Sequence, residues 1–117
     1  MTSLTKAVWG PAVWTTLHAA AATCDRPEDF RKLLAAVVRT LPCPECREEA
    51  RLYVAARARE LASVTDRVSA SRFVWAMHNH VNARTGKLQT AAEEVERRYG
   101  VRVEAPRRGT SRLYRVL

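Results

Sequence analysis

Prolines punctuate the first half of this chain at positions 11, 27, 42 and 44, and each marks a place where a helix can begin or end. Proline is tolerated in a helix's first turn, but it pushes the residue before it out of helical geometry. A first helix is therefore expected from about Trp9-Gly10-Pro11 to Thr23, where Asp25-Arg26-Pro27 breaks it. A second opens at Arg26-Pro27-Glu28-Asp29, carries Phe30, Leu33, Leu34, Val37, Val38 and Leu41 at core spacing, and stops at Pro42. Pro44 restarts a third helix, expected to reach about Ala62.

The second half is punctuated by caps. Ser63 to Asp66 reads as a turn, Ser69 or Ser71 as the cap of a fourth helix to Arg84, and Thr85-Gly86 as its end. Thr90, with Glu93 three residues on, reads as the capping box of a shorter fifth helix that closes at Tyr99-Gly100. Glycine is scarce and β-branched runs are short, which also favours helices. The expected class is all-α: a four-helix bundle with an additional short fifth helix. At 117 residues there is room for one domain, placed at 1–100, and a basic, poorly periodic tail at 101–117, loosely ordered or docked. Within the tail, Val101-Arg102-Val103 is a candidate extended segment.

Nothing approaches the roughly 20 apolar residues that cross a bilayer, and the nearest stretch, Thr15 to Thr23, contains His18. Lys6 is followed by no apolar signal core, so neither a membrane nor a secretory route is expected. The net charge of +8 invites a nucleic-acid partner. However, the basic residues of Arg47 to Arg59 and Arg97 to Arg115 alternate with acids or small residues, which favours a solvated surface and no nucleic acid.

The three cysteines form no disulfide framework: Cys43-Pro44-Glu45-Cys46 is a C-x-x-C and Cys24 stands alone. The pair falls between two helices, at the start of the third, where free backbone N–H groups and the helix dipole favour a thiolate. A dithiol there can close and reopen by exchange. Half of a zinc site is the competing reading, but no second C-x-x-C exists and His18, His78 and His80 match no zinc spacing, so no metal is expected. A thioredoxin fold needs strands that the pattern lacks. A helical dithiol needs another electron sink, and so a cofactor.

A ligand face is also legible. Trp75, His78, Asn79 and Asn82 fall at i, i+3, i+4 and i+7 of the fourth helix, beside the apolar Val74, Met77 and Val81. Trp14, Leu17 and His18 share a face of the first. Any one of these residues is more simply a satisfied core group. As a set beside a dithiol they suit a flat heterocycle, with aromatics to stack on it, amides and imidazoles for its edges, and Lys87 for phosphate.

Three blocks then resemble the Erv/ALR family of FAD-linked sulfhydryl oxidases: Trp9-Gly10-Pro11-x-x-Trp14-x-x-Leu17-His18, Leu41-Pro42-Cys43-x-x-Cys46, and His78-Asn79-x-Val81-Asn82-x-Arg84-x-Gly86-Lys87. The likeness runs over about 9 to 99 and is strongest to the compact forms encoded by large DNA viruses. It implies FAD at the bundle mouth and a homodimer meeting through the first two helices. Cys46 would lie against the isoalloxazine and Cys43 would meet the substrate. The resemblance extends the cofactor-binding set to Trp9, Gly10, Trp14, His18, Trp75, His78, Asn79, Val81, Asn82, Arg84, Lys87 and Tyr99.

Many family members carry a disulfide between the fourth and fifth helices; Trp75 and Ala92 stand at those positions here, so packing must do its work. With no separate shuttle pair, Cys24 reads as a free thiol. The implied reaction oxidises protein dithiols, or a thioredoxin-like carrier, at the expense of molecular oxygen. The implied location is a host cytoplasm or virion for a viral protein, and the mitochondrial intermembrane space for a cellular one. Two other readings stay open on the residues alone: a basic helical adaptor, and a flavin-free disulfide carrier.

Overall fold

The structure is a computed structural model that describes residues 4–104. Among them are six helices and no strand: α1 (Lys6–Ala22), α2 (Pro27–Thr40), α3 (Pro44–Ala56), α4 (Ala58–Ala62), α5 (Arg67–Arg84) and α6 (Ala92–Tyr99). The four longest form the expected bundle, in which α1 packs along α5 and against α2, and α2 packs on α3. Helix α6 lies against α1, and α4 against α5. The main core holds Leu17 and Ala21 of α1, Phe30, Leu34 and Val38 of α2, Tyr53 of α3, and Phe73, Val74 and Met77 of α5. Cys24 is a half-buried free thiol packed on its edge.

The termini differ from expectation for physical reasons. Helix α1 starts at Lys6 rather than at Trp9, which puts Pro11 in its second turn. Ala7, whose carbonyl loses its partner to Pro11, is exposed, so water can replace the missing bond. The expected third helix breaks at Arg57, where φ −116° and ψ 29° leave helical geometry. The Arg57 guanidinium turns back over the Tyr53 ring at 3.9 Å. From α2, Arg31 donates to the carbonyls of Leu61 and Val64 at 3.3 and 3.0 Å, fixing α4 and the turn after it. The break is what returns Leu61 and Val64 to the core.

Helix α5 is capped by Asp66, not by Ser69 or Ser71. Asp66 Oδ1 accepts the Ser69 N–H at 2.9 Å, while Ser69 Oγ accepts the Asp66 N–H at 3.1 Å, a reciprocal box. Ser71 is buried instead, its hydroxyl without a partner. Thr90 and Glu93 form no capping box on α6, whose N-cap is Ala91 and has no side-chain bond, because Thr90 is engaged elsewhere. Gly100 ends α6 in the left-handed conformation at φ 75°, where a side chain would be strained.

Beyond that glycine the chain forms no strand, but Val101 and Val103 are buried with Ala22 and Val95, flanked by Val68, Trp75, Ala92 and Tyr99. Arg72 Nε donates to the Val103 carbonyl at 2.7 Å. Trp75 and Ala92 thus meet in an apolar cluster at the seam of α5 and α6, and the start of the tail is docked. The remainder of the tail, 105–117, lies outside the described residues.

Candidate functional site: a ring-lined cleft ending at a dithiol

A cleft of about 1120 Å³ opens among α1, α3, α5 and α6, slightly larger than ordinary small-molecule pockets, which reach about 1,000 Å³. Its deep wall is aromatic. Trp14 of α1 stacks on His78 of α5, ring centroids 4.1 Å apart and 9° from parallel. His18, one turn on from Trp14, stacks on Tyr99 of α6 at 4.9 Å and 10°. His18 Nε2 and His78 Nδ1 share a hydrogen bond of 3.0 Å. Burial, then the Arg98 charge, lowers the His18 pKa to about 4. Burial, then His18 and Lys87, lowers that of His78 to about 4. Both imidazoles are therefore neutral at pH 7, and one proton serves the bond between them. His18 Nδ1 is left buried with no partner in the protein, a polar atom in the cleft wall that calls for a ligand.

The loop after α5 is held by the polar stripe foreseen on that helix. Asn79 Nδ2 donates to the Thr90 carbonyl at 3.0 Å and Asn79 Oδ1 accepts the Thr90 N–H at 2.6 Å. Trp75 Nε1 donates to the same carbonyl at 2.7 Å. Asn82 Nδ2 lies 3.4 Å from both Asn79 Oδ1 and Thr90 Oγ1. Of the twelve expected binding residues, ten line the cleft: Trp9, Gly10, Trp14, His18, His78, Val81, Asn82, Arg84, Lys87 and Tyr99. Trp75 and Asn79 do not; they build the wall from behind by fixing Thr90. Arg84 sits at the rim, 3.6 Å from Glu49 across the gap to α3.

The dithiol closes the opposite side. Cys43 is the N-cap of α3, with its sulfur accepting the Cys46 N–H at 3.2 Å, and Cys46 is the third residue of the helix. Both are half-buried free thiols on the cleft wall. Pro44 starts the helix without wasting an N–H, so the dipole's positive end faces the sulfurs. Burial, then the hydrogen bond with Cys43, raises the Cys46 thiol; the Lys6 charge and hydrogen bond pull the other way. Sequence reasoning gave Lys6 and Thr90 no role in the site. Only the one-turn spacing of Lys6 from Gly10 hints at the first, and Thr90 resembled a cap. Among the described residues, no group of three or more His, Cys, Asp or Glu is placed to hold a metal ion.

The sequence pattern of the Erv1 / Alr family matches residues 11–100. A provisionally named FAD-linked sulfhydryl oxidase of Invertebrate iridescent virus 3 is 38% identical over 110 residues, covering 85% of this chain and 70% of the relative. The FAD-linked sulfhydryl oxidase ERV1 of Arabidopsis thaliana is 30% identical over 103 residues, covering 83% of this chain and 52% of its own length. A second provisionally named viral oxidase, from Invertebrate iridescent virus 6, is 28% identical over 97 residues, covering 74% and 87%. The chain thus spans most of the viral relatives and about half of the plant one. With its ring-lined cleft and helix-tip dithiol, and with a family match over most of its length, the chain belongs to the Erv1/Alr family.

Proposed function

We propose that this protein is an FAD-linked sulfhydryl oxidase that forms disulfides in protein dithiols through Cys43 and Cys46, with oxygen as the final acceptor. The observation that carries the reading is the unpartnered His18 Nδ1 on a wall of stacked rings, across one cleft from the dithiol. The cleft's size and chemistry fit a flavin dinucleotide. Trp14, His18, His78, Asn82 and Tyr99 would hold it, with Lys87 at the mouth for phosphate, while Trp75 and Asn79 set the wall's shape. FAD, when bound, supplies a two-electron acceptor for the dithiol and returns the electrons to oxygen as hydrogen peroxide.

The protein's own part is exchange and placement. Both cysteines line the cleft; Cys43, the N-cap, is the thiol that meets substrate, and Cys46, the third residue of α3, is the one that would pass electrons to the cofactor. A substrate thiolate attacks Cys43 of the closed pair and the second substrate thiolate resolves the mixed disulfide, leaving Cys43 and Cys46 reduced. The neutral His18 and His78 add no charge to the wall while offering hydrogen-bonding nitrogens. Exposed Leu4, just before α1, and exposed Val8 in its first turn support a homodimer that uses this helix. Similarity to iridescent-virus proteins supports action in a host cytoplasm, supplying disulfides to virion proteins.

The test is direct. Purified protein should be yellow and should consume oxygen when given a dithiol, and Cys46→Ser should abolish that uptake. Active but colourless protein, or dithiol exchange with no oxygen consumed, would replace the oxidase reading with that of a flavin-free carrier.

A further inference from the structure

The loop that carries Cys43 is gripped by a side chain that the reaction above leaves unused. Arg47, half-buried and next to Cys46 in α3, reaches back with its guanidinium, and Nη1 donates to the Leu41 carbonyl at 2.5 Å. Leu41 is the C-cap of α2, so this bond ties the end of one helix to the start of the next. The carbonyl is otherwise an orphan of a helix terminus: among the described residues, no backbone N–H reaches it. Among those residues, too, no carboxylate forms an ion pair with Arg47. Inside the span lie Pro42 and Pro44, each of which fixes its own φ and holds the residue before it extended. Leu41 is accordingly at φ −57°, ψ 138° and Cys43 at φ −122°, ψ 119°. The Cys43 carbonyl accepts the Arg47 N–H at 2.9 Å, and the Cys43 sulfur accepts the Cys46 N–H at 3.2 Å. Cys43 is thus tethered on both sides, to α3 by its own atoms and to α2 through Arg47.

We propose that Arg47 is a positioning residue of the dithiol: by holding the loop from Leu41 to Cys43 on the tip of α3, it favours the closed Cys43–Cys46 pair over the open one. The inference rests on the reading of Cys43 and Cys46 as a redox pair. Closing the pair forms one S–S bond and releases two protons and one electron pair. Against glutathione disulfide those electrons and protons yield two molecules of reduced glutathione. A free loop gives up more chain freedom on closure than one already held in place. By reciprocity, a contact that eases closure is itself strengthened by the closed pair. A disulfide favoured in this way has a lower reduction potential. Once reduced, such a pair is the stronger donor to an acceptor behind it, so Arg47 tips electron flow away from the substrate and toward the cleft. Arg47 acting as a charge alone would do the reverse. A cation beside the sulfurs stabilises thiolates, hence the open pair, and raises the potential. The two roles therefore predict shifts of opposite sign when Arg47 is removed.

The test is the equilibrium of the pair with reduced and oxidised glutathione, without oxygen, in the full chain carrying Cys24→Ser. Acid quenching, alkylation and mass spectrometry read the open and closed fractions. Arg47→Met should lower the closure constant about threefold, within the range of about two- to tenfold that one hydrogen bond is worth. At about 30 mV per tenfold change, the potential should rise by about 14 mV. Arg47→Lys, which keeps one donor on a long stem, should lie closer to the parent than Arg47→Met does. An unchanged potential in Arg47→Met, a fall in it, or an Arg47→Lys value no closer to the parent would overturn the proposal. Should Arg47→Met lose its helical circular dichroism, Arg47→Ala carries the same expectation on the residue that most favours a helix. The readout needs no flavin. A colourless protein that shows the Arg47 shift would sink the oxidase reading alone, and a yellow, active protein without the shift would sink this one alone.

Discussion

The two sides of the cleft are built by opposite means. On the α1–α5–α6 side, rings stack in pairs, His18 is 3% exposed, and Asn79 and Trp75 close three hydrogen bonds on one residue of the loop. On the α3 side stand two half-exposed thiols, held by a single backbone N–H and a helix tip. The first side is over-determined and suited to gripping a rigid ring. The second is accessible and suited to meeting other molecules. Holding and reacting are thus assigned to different elements, and the two can be damaged separately.

The sharpest way to expose that division is Cys43→Ser. Dithiol-driven oxygen uptake should fall at least about a hundredfold, since no other side chain can replace a nucleophilic sulfur in exchange. Thermal stability and the visible spectrum should stay near those of the parent. A large drop in melting temperature would mean that the α3 side is structural as well. The mirror experiment is His18→Ala, which removes a stacked, buried ring and its hydrogen bond to His78. It should cost about 3 kcal/mol in urea unfolding and release bound flavin on gel filtration, while Cys46 still alkylates. Asn79→Ala strips the loop of its two bonds to Thr90 and should cost about 2 kcal/mol, with faster amide exchange at Thr90 than in the parent.

Acid should act on the gripping side alone. His18 and His78 both have folded pKa values near 4 against 6.5 in an unfolded chain. Below 6.5 the unfolded chain therefore takes up protons that the folded one refuses. Their stabilising effect is complete above pH 6.5 and is lost as pH falls toward 4, at up to about 1.4 kcal/mol per pH unit for each group. Denaturant midpoints measured from pH 7.5 to 4.5 should decline over that window, and His18→Ala should flatten the decline. The smallest effect belongs to a site remote from both sides: Asp66→Ala should lose about 1 kcal/mol of cap energy and leave cofactor retention and thiol reactivity alone.

Much of this molecule was legible because its helices are periodic and cleanly interrupted. Pro27, Pro42, Pro44 and Gly100 stand where two helices begin and two end. The stripe at Phe30, Leu34 and Val38 is the buried face of α2. What escaped depended on which neighbour a face meets. Trp75, His78, Asn79 and Asn82 share one stripe, yet at about 100° of rotation per residue it spans a wide arc. His78 and Asn82 fall toward its cleft edge, while Asn79 and Trp75 fall toward the loop. Spacing places residues on an arc and cannot say where on that arc a cavity ends. Arg57 failed for a similar reason: nothing local breaks the helix there, and the bend is fixed by Arg31 from another helix and by a ring underneath. Asp66 was passed over as a turn residue because its capping depends on Ser69 answering it.

The docked Val101 and Val103 do not line the cleft, yet they brace α6, the eight-residue helix that carries Tyr99 over His18. A helix that short has little standing of its own in water. The keystone of the ligand chamber is therefore a pair of valines outside it. A change at either valine would be felt first as a looser grip on whatever the rings enclose, while the sulfurs at the far side went on exchanging undisturbed.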